Sequence, residues 1–188
     1  MELSNLNIKN GLCISLGANI DSKFGPPIET LIVCKPKLEQ IITNFISQSY
    51  TLKKEIEFSN TIFYWSSIYE TKPYGVEGYQ PNYLNTLLLV KSSSFPKPST
   101  KKAKFLLKEF KNLERNFGRK DNSNNKTWLS RCLDLDILWW EDLHLMDEEL
   151  TLPHPRFINR NFVISPLSEV LSITQKIKKL NDPRWIID

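Results

Sequence analysis

The sequence predicts an α+β sandwich in which helices pack on a mainly antiparallel sheet. Two observations carry this. Short segments rich in β-branched and aromatic residues, bounded by Gly, Pro and Asn, read as strands. Between them lie segments whose apolar residues recur at helical spacing. At 188 residues the chain is expected to form a single domain spanning 1–188, able to bury a real core, with residues 1–10 flexible.

The elements follow in order. Leu12–Leu16 (LCISL) reads as a short buried strand ended by Gly17. After a Gly-Pro-Pro loop, apolar residues recur at Ile28, Leu31, Ile32, Leu38, Ile41, Ile42, Phe45 and Ile46. That spacing predicts a helix, with a kink or break at Pro36. TLKKEIEFSN reads as a polar connector or hairpin. Thr61–Thr71 (TIFYWSSIYET) is expected to be one strand, KPYGVEGYQPN a loop, and YLNTLLLVKS a second strand paired with the first. The clearest helix runs from about Lys101 to Asn116. Ala103, Leu106, Leu107, Phe110, Leu113 and Phe117 share one face. Ser99 or Thr100 caps its start and Gly118 stops it. RKDNSNNKT is a polar loop, RCLDLDILWW a strand and EDLHLMDEEL a turn or short hairpin. TLPHPRFINRNFVISPLSEV is a Pro-punctuated loop leading into a short helix or strand, and the tail adds one more helical turn with an ordered end. The order β-α-β-β-α-β is that of a ferredoxin-like α/β sandwich with added loops.

Composition narrows the function. A net charge of +4 is mild: it suits an anionic small molecule and does not by itself argue for nucleic acid. The three cysteines include no CxxC pair, which disfavours a disulfide framework or zinc site and suits a reducing compartment. The N-terminus lacks a signal core and no run of about 18 apolar residues occurs. A cytoplasmic protein with no membrane partner is expected. There is no Walker sequence, no G-x-G-x-x-G and no recognisable Ser or Cys nucleophile motif. The pattern points to a reaction in which the substrate brings its own nucleophile.

The most informative stretch is WLSRCLDLDILWWED, Trp128 to Asp142. In a strand, residues i and i+2 share a face, so Asp134 and Asp136 project together while Leu133, Leu135 and Ile137 point into the core. Adjacent carboxylates repel, and burying them is expensive unless a cation neutralises them. Oxygen-only ligands at this spacing suit Mg²⁺; the alternative is an edge strand with a solvated acidic face. Arg119 and Lys120 after the helix, Arg131 before the diacid, and His154, Arg156 and Arg160 in the later loop supply the groups that a metal–triphosphate site needs. A second cluster, Thr71, Pro73, Tyr74, Tyr83 and Asn85, surrounds a loop. Tyr83 and Asn85 share a strand face and could stack on and hydrogen-bond to a heterocycle, with Phe162 opposite, or simply pack in the core.

Taken in order, SLGAN, YETKPYG…YQPNYLN, LERNFGR, R-C-LDLDI and LPHPRFINRNF resemble the signature blocks of the 6-hydroxymethyl-7,8-dihydropterin pyrophosphokinases, from about Ile14 to Glu169. That resemblance implies pyrophosphoryl transfer from the co-substrate ATP to the pterin hydroxymethyl group, releasing AMP, in folate biosynthesis. It implies that Asp134 and Asp136 bind two Mg²⁺ ions and that Arg119, Arg131, His154 and Arg160 surround the triphosphate. Glu114, Trp128 and Thr151 would lie nearby in the nucleotide site. Thr71, Pro73, Tyr74, Tyr83, Asn85 and Phe162 would form the pterin slot. A monomer or weak homodimer acting on small molecules, without nucleic acid, is expected. The chain departs from the family pattern at Leu129-Ser130, where Gly-Pro is common, and at Lys72, where many members carry proline. Three readings compete: an RNA-binding module on the same fold, a nucleotidyltransferase releasing pyrophosphate in place of AMP, and a catalytically silent relative.

Overall fold

The central strand is almost wholly buried. β1 (Leu12–Ala18) is exposed only in part, at Ser15, as a strand must be when it has neighbours on both edges and layers on both faces. It pairs antiparallel with β4 (Tyr83–Ser92) on one side and β5 (Asp134–Trp140) on the other. β4 pairs outward with β2 (Thr61–Trp65) and β3 (Tyr69–Thr71). The order β2-β4-β1-β5 interleaves two β-α-β units, joined by α1 (Pro27–Gln48) and α2 (Thr100–Asn116). This is the expected α+β arrangement. The computed structural model describes residues 11–48, 60–73, 79–120 and 129–180. The N-terminal segment 1–10, most of the TLKKEIEFSN connector, the loop positions 74–78 and 121–128, and the tail 181–188 lie outside them.

Each sheet face carries its own core. Leu12, Ile14, Leu16, Leu88, Leu135 and Ile137 pack against Leu31, Leu38 and Ile42 of α1 and Leu106, Phe110 and Leu113 of α2. On the opposite face Cys13, Leu87, Leu89, Leu138 and Trp139 pack under Val163, Leu167 and Val170 of α3 (Asn161–Leu180). Burial of each such aliphatic side chain contributes about 1.5–3 kcal/mol. A bulge in β5 allows Trp139 to join this face: Cys13 faces Trp139 and Ile14 faces Ile137, so Leu138 is the extra residue. Leu138 and Trp139 therefore both turn toward α3, and Trp140 returns to the first core.

Three expectations change. The predicted strand Thr61–Thr71 is two strands. Trp65 pairs with Leu88 and Tyr69 with Asn85, so the stretch between the pairs is one residue longer on this strand. The Ser66 hydroxyl fills the break, accepting from Leu87 N–H at 2.9 Å. α1 continues through Pro36 without the expected break. Pro36 and Ile32 both lie on the exposed face, so the carbonyl that proline deprives of a partner is solvated. α3 is a twenty-residue helix, not a short one. Pro166 lies in its second turn, where only the Phe162 carbonyl loses its bond, and Val163, Leu167 and Val170 keep helical spacing. A hairpin of β6 (Leu145–Met146) and β7 (Thr151–Leu152) stands where a turn or short hairpin was expected. Among the described residues no helix is long and apolar enough to cross a membrane.

α3 is fastened to the broken strand by one carboxylate. Glu169 accepts from Ser67 N–H (2.8 Å), Ser67 Oγ (2.9 Å) and Tyr69 Oη (3.0 Å). Burial works to raise its pKa, but these donors outweigh it and hold the carboxyl below its ordinary value. A depressed folded-state pKa means the contribution is full above the ordinary glutamate pKa and is lost as pH falls through the lower, folded one. Glu169→Gln is therefore expected to lower the thermal midpoint at neutral pH and to flatten the acid side of the stability–pH curve. Parallel curves for the two proteins would refute this.

Candidate active site

The face under α3 is apolar only at one end. Along β1 it runs from Cys13 to Ser15 and Gly17, along β4 from Leu89 and Leu87 to Asn85 and Tyr83, and along β5 from Leu138 to Asp136 and Asp134. Register sets Ser15 opposite Asp136, and Gly17 opposite both Asp134 and Asn85. The helix covers the apolar half. The polar half forms the floor of a cavity of about 360 Å³. A buried strand can thus carry two carboxylates on one face because that part of the face is a cavity floor and not core.

Asp134 and Asp136 are partly exposed, at 22% and 33% of their side chains, so an ion can reach them. Asp134 is clamped from both sides: Oδ1 accepts from Arg119 Nη1 at 2.7 Å and Oδ2 from Arg131 Nη1 at 2.5 Å. Burial raises its pKa, but Arg131 and Arg119 overcome this and hold the carboxyl below its ordinary value. Asp136 has a weaker cation, Arg160 Nη1 at 3.6 Å. Burial and the neighbouring Asp134 push its pKa up. The His154 backbone N–H donates to Leu138 O at 2.7 Å, and the ring Nδ1 accepts from the Arg156 backbone N–H at 3.3 Å. On that hydrogen-bond pattern the ring proton sits on Nε2. Burial, aided by Arg160 and Arg156 against Asp136, lowers its pKa.

The other half of the cavity is a slot. Asn85, almost fully buried, donates to Thr71 Oγ1 at 2.8 Å. Tyr83 lines the cavity and donates to Leu129 O at 3.4 Å. Phe162, in the first turn of α3, lies under the Arg160 guanidinium at 5.4 Å. Thr71, Pro73, Tyr83, Asn85, Arg131, Asp134, Asp136, His154, Arg160 and Phe162 all border this one space. Arg119 reaches it only through Asp134. Glu114 is buried behind the floor, where its carboxylate takes the Leu135 N–H at 2.8 Å and pairs with Arg119 at 2.6 Å and Lys111 at 3.0 Å. Thr151 lies on β7, off the cavity lining. Tyr74 and Trp128 are outside the described residues.

Arg156, expected among the basic groups of the later loop, also borders the cavity, as do Ser15, Gly17, Lys72, Gln80 and Leu129, which were not among the expected site residues. For Ser15 and Gly17 the sequence alone carried no signal; the register of β1 against the diacid strand brings them to the cavity. A Cβ at Gly17 would stand 3.1 Å from Asn85 Oδ1, so the missing side chain keeps the slot clear.

Among the described residues, carboxylates and guanidiniums border one cavity together with Tyr83, Asn85 and Phe162, a set of groups that suits an enzyme of phosphoryl-group transfer. Residues 13–172 match the family model described as 7,8-dihydro-6-hydroxymethylpterin-pyrophosphokinase. The chain is similar to three proteins named 2-amino-4-hydroxy-6-hydroxymethyldihydropteridine pyrophosphokinase. It is 34% identical to that of Haemophilus influenzae over 145 residues, 72% of this chain and 84% of the relative. Identity is 35% with that of Aquifex aeolicus over 124 residues (65% and 71%), and 36% with that of Bacillus subtilis over 111 residues (59% and 60%). The chain belongs to the 7,8-dihydro-6-hydroxymethylpterin-pyrophosphokinase family.

Gly17→Ala is expected to displace Asn85 and raise KM for the ring-bearing substrate roughly three- to tenfold, the scale of one weakened hydrogen bond. The KM for the phosphoryl donor and the thermal midpoint should change little. An unchanged KM for the ring substrate would show that Asn85 is not a slot residue.

Proposed function

We infer that the chain transfers the pyrophosphoryl group of ATP to the hydroxymethyl oxygen of 6-hydroxymethyl-7,8-dihydropterin, giving the pterin diphosphate and AMP in folate biosynthesis. The observation that carries the site assignment is the continuity of one cavity from the Tyr83–Asn85–Phe162 slot to the Asp134–Asp136 floor. A flat ring in the first would leave an exocyclic hydroxyl next to phosphates held over the second.

The acceptor oxygen forms a bond to the β-phosphorus as the bond from that phosphorus to the α–β bridging oxygen breaks. The hydroxyl proton passes to solvent and AMP leaves with the electron pair. No protein nucleophile is needed, so positioning and charge neutralisation supply the catalysis. Tyr83 and Phe162 sandwich the ring, and Asn85, with Thr71, Pro73 and Tyr74, fixes its edge. Arg131, Arg160 and Arg119 oppose the charge on the phosphates, and His154 donates from Nε2. Glu114, Trp128 and Thr151 complete the nucleotide side, Glu114 acting from behind by holding Arg119. Two carboxylates with oxygen donors only, open to the cavity, fit Mg²⁺, which keeps several waters and takes phosphate oxygens as further ligands. Asp134 and Asp136 would hold it, two ions in all, and when bound it neutralises phosphate charge. The packing of α1, α2 and α3 on one sheet supports a single catalytic domain, which in this proposal works in the cytoplasm as a monomer or weak homodimer.

Pterin-dependent release of AMP from ATP is the test. Asp134→Ala is expected to lower it by on the order of a hundredfold or more. Release of pyrophosphate in place of AMP would identify a nucleotidyltransferase, and binding without turnover a silent relative. Asp136 protonates more readily than an ordinary aspartate, so a proton competes with the cation there. The Mg²⁺ concentration for half-maximal rate should therefore rise as pH falls, and a pH-independent requirement would count against Asp136 as a ligand.

A further inference from the structure

Asn19, just beyond the end of β1, is 2% exposed and belongs to neither substrate cluster. Its backbone N–H donates to Arg131 O at 2.9 Å, and its Oδ1 accepts from Arg131 N–H at 2.7 Å. Its Nδ2 donates to Ser130 Oγ at 3.2 Å and to Pro81 O at 3.3 Å. One buried amide thus uses both its donors and its acceptor on two separate segments. The first, 129–131, carries Arg131 on the phosphate side of the cavity. The second, 79–82, carries Gln80 in the cavity wall and runs directly into Tyr83 of the slot. The Tyr83 hydroxyl closes the same circuit on Leu129 O at 3.4 Å.

The Ser130 bond depends on this chain's own residue choice. Ser130 stands just before Arg131, and its hydroxyl offers a side-chain acceptor that alanine or proline there would lack. Asn19 reaches that acceptor from a rigid position, the end of a central strand. The segment before Arg131 is thereby tied by a hydrogen bond to a fixed point.

We propose that Asn19 is a positioning residue that holds the Arg131 segment and the 79–82 wall in one relative placement, with the Ser130 hydroxyl as its anchor on the phosphate side. This deepens the pyrophosphokinase assignment and rests on it. The two substrates then meet a site whose halves are set by a single amide, and loosening it disturbs both.

The experiment is a steady-state comparison of the parent with Ser130→Ala, Ser130→Thr and Asn19→Ala, in ATP and in 6-hydroxymethyl-7,8-dihydropterin, alongside thermal midpoints and the fraction of active enzyme. Loss of one hydrogen bond in Ser130→Ala is expected to raise both KM values together, roughly two- to tenfold. Ser130→Thr, which restores a hydroxyl, should return them to parental levels, and Asn19→Ala should exceed Ser130→Ala. A merely structural role would lower the active fraction and leave both KM values where they were. That result, or a change confined to one substrate, overturns the proposal. If Asn19→Ala does not fold, the serine pair decides alone. A parent without pterin-dependent AMP formation would refute the underlying assignment; the inference about Asn19 fails when the parent is active and both KM values stay unmoved or only one of them changes.

Discussion

Two carboxylates two residues apart on one strand face are the constraint around which the rest is arranged. Like charges held this close repel, and each also loses water when a cavity wall replaces solvent. Asp134 resolves this with two guanidiniums that arrive from opposite directions, Arg119 from the end of α2 and Arg131 from the segment before β5. Asp136 is resolved less fully, with Arg160 at longer range, and burial together with the neighbouring Asp134 raises its pKa. An acid left short of positive charge next to one that is fully paired is a place where a divalent cation is welcome. Glu114 extends the network behind the sheet by fixing Arg119 and the Leu135 N–H together. The diacid's surroundings are therefore set by the junction of α2 with β5.

The same sheet face serves as core and as catalytic floor, and the length and placement of α3 divide them. Its first turn supplies Phe162, and Arg160 precedes it; its later turns cover the apolar half through Val163, Leu167 and Val170. The bulge at Leu138 gives this half Trp139 as well as Leu138, so that β5 changes from cavity floor to core within two residues. Substitutions under α3 would therefore act on the site through the placement of Phe162 and Arg160.

Much of the site was legible because strand periodicity is strict: Asp134 with Asp136, and Tyr83 with Asn85, had to share faces once the strands were recognised. What escaped were residues whose role comes from pairing across strands. Gly17 and Ser15 read as the end of a hydrophobic run, and only the register opposite Asp134 and Asp136 gives them a place. Glu114 was expected beside the nucleotide from the resemblance; its place behind the floor, in the apolar stripe with Phe110, Leu113 and Phe117, was not legible, because a carboxylate there needs Lys111 and Arg119 to be tolerated. The packing of helices on a mainly antiparallel sheet followed from the order of elements. The division of Thr61–Thr71 did not, because it depends on Ser66 bonding to Leu87 across the sheet. The length of α3 was hidden by prolines that read as punctuation, although Pro166 costs the helix only the bond to the Phe162 carbonyl.

The central claim is that the paired aspartates are a cation floor and not merely a charge-compensated corner of the fold. Mn²⁺ can stand in for Mg²⁺, and its paramagnetic signal reports free ion directly. Titrated with ATP, the parent should immobilise Mn²⁺ beyond what ATP alone binds, and Asp136→Asn, with a native thermal transition, should lose that excess. If Asp136→Asn retains it, the diacid is structural and the phosphates are held by the arginines alone.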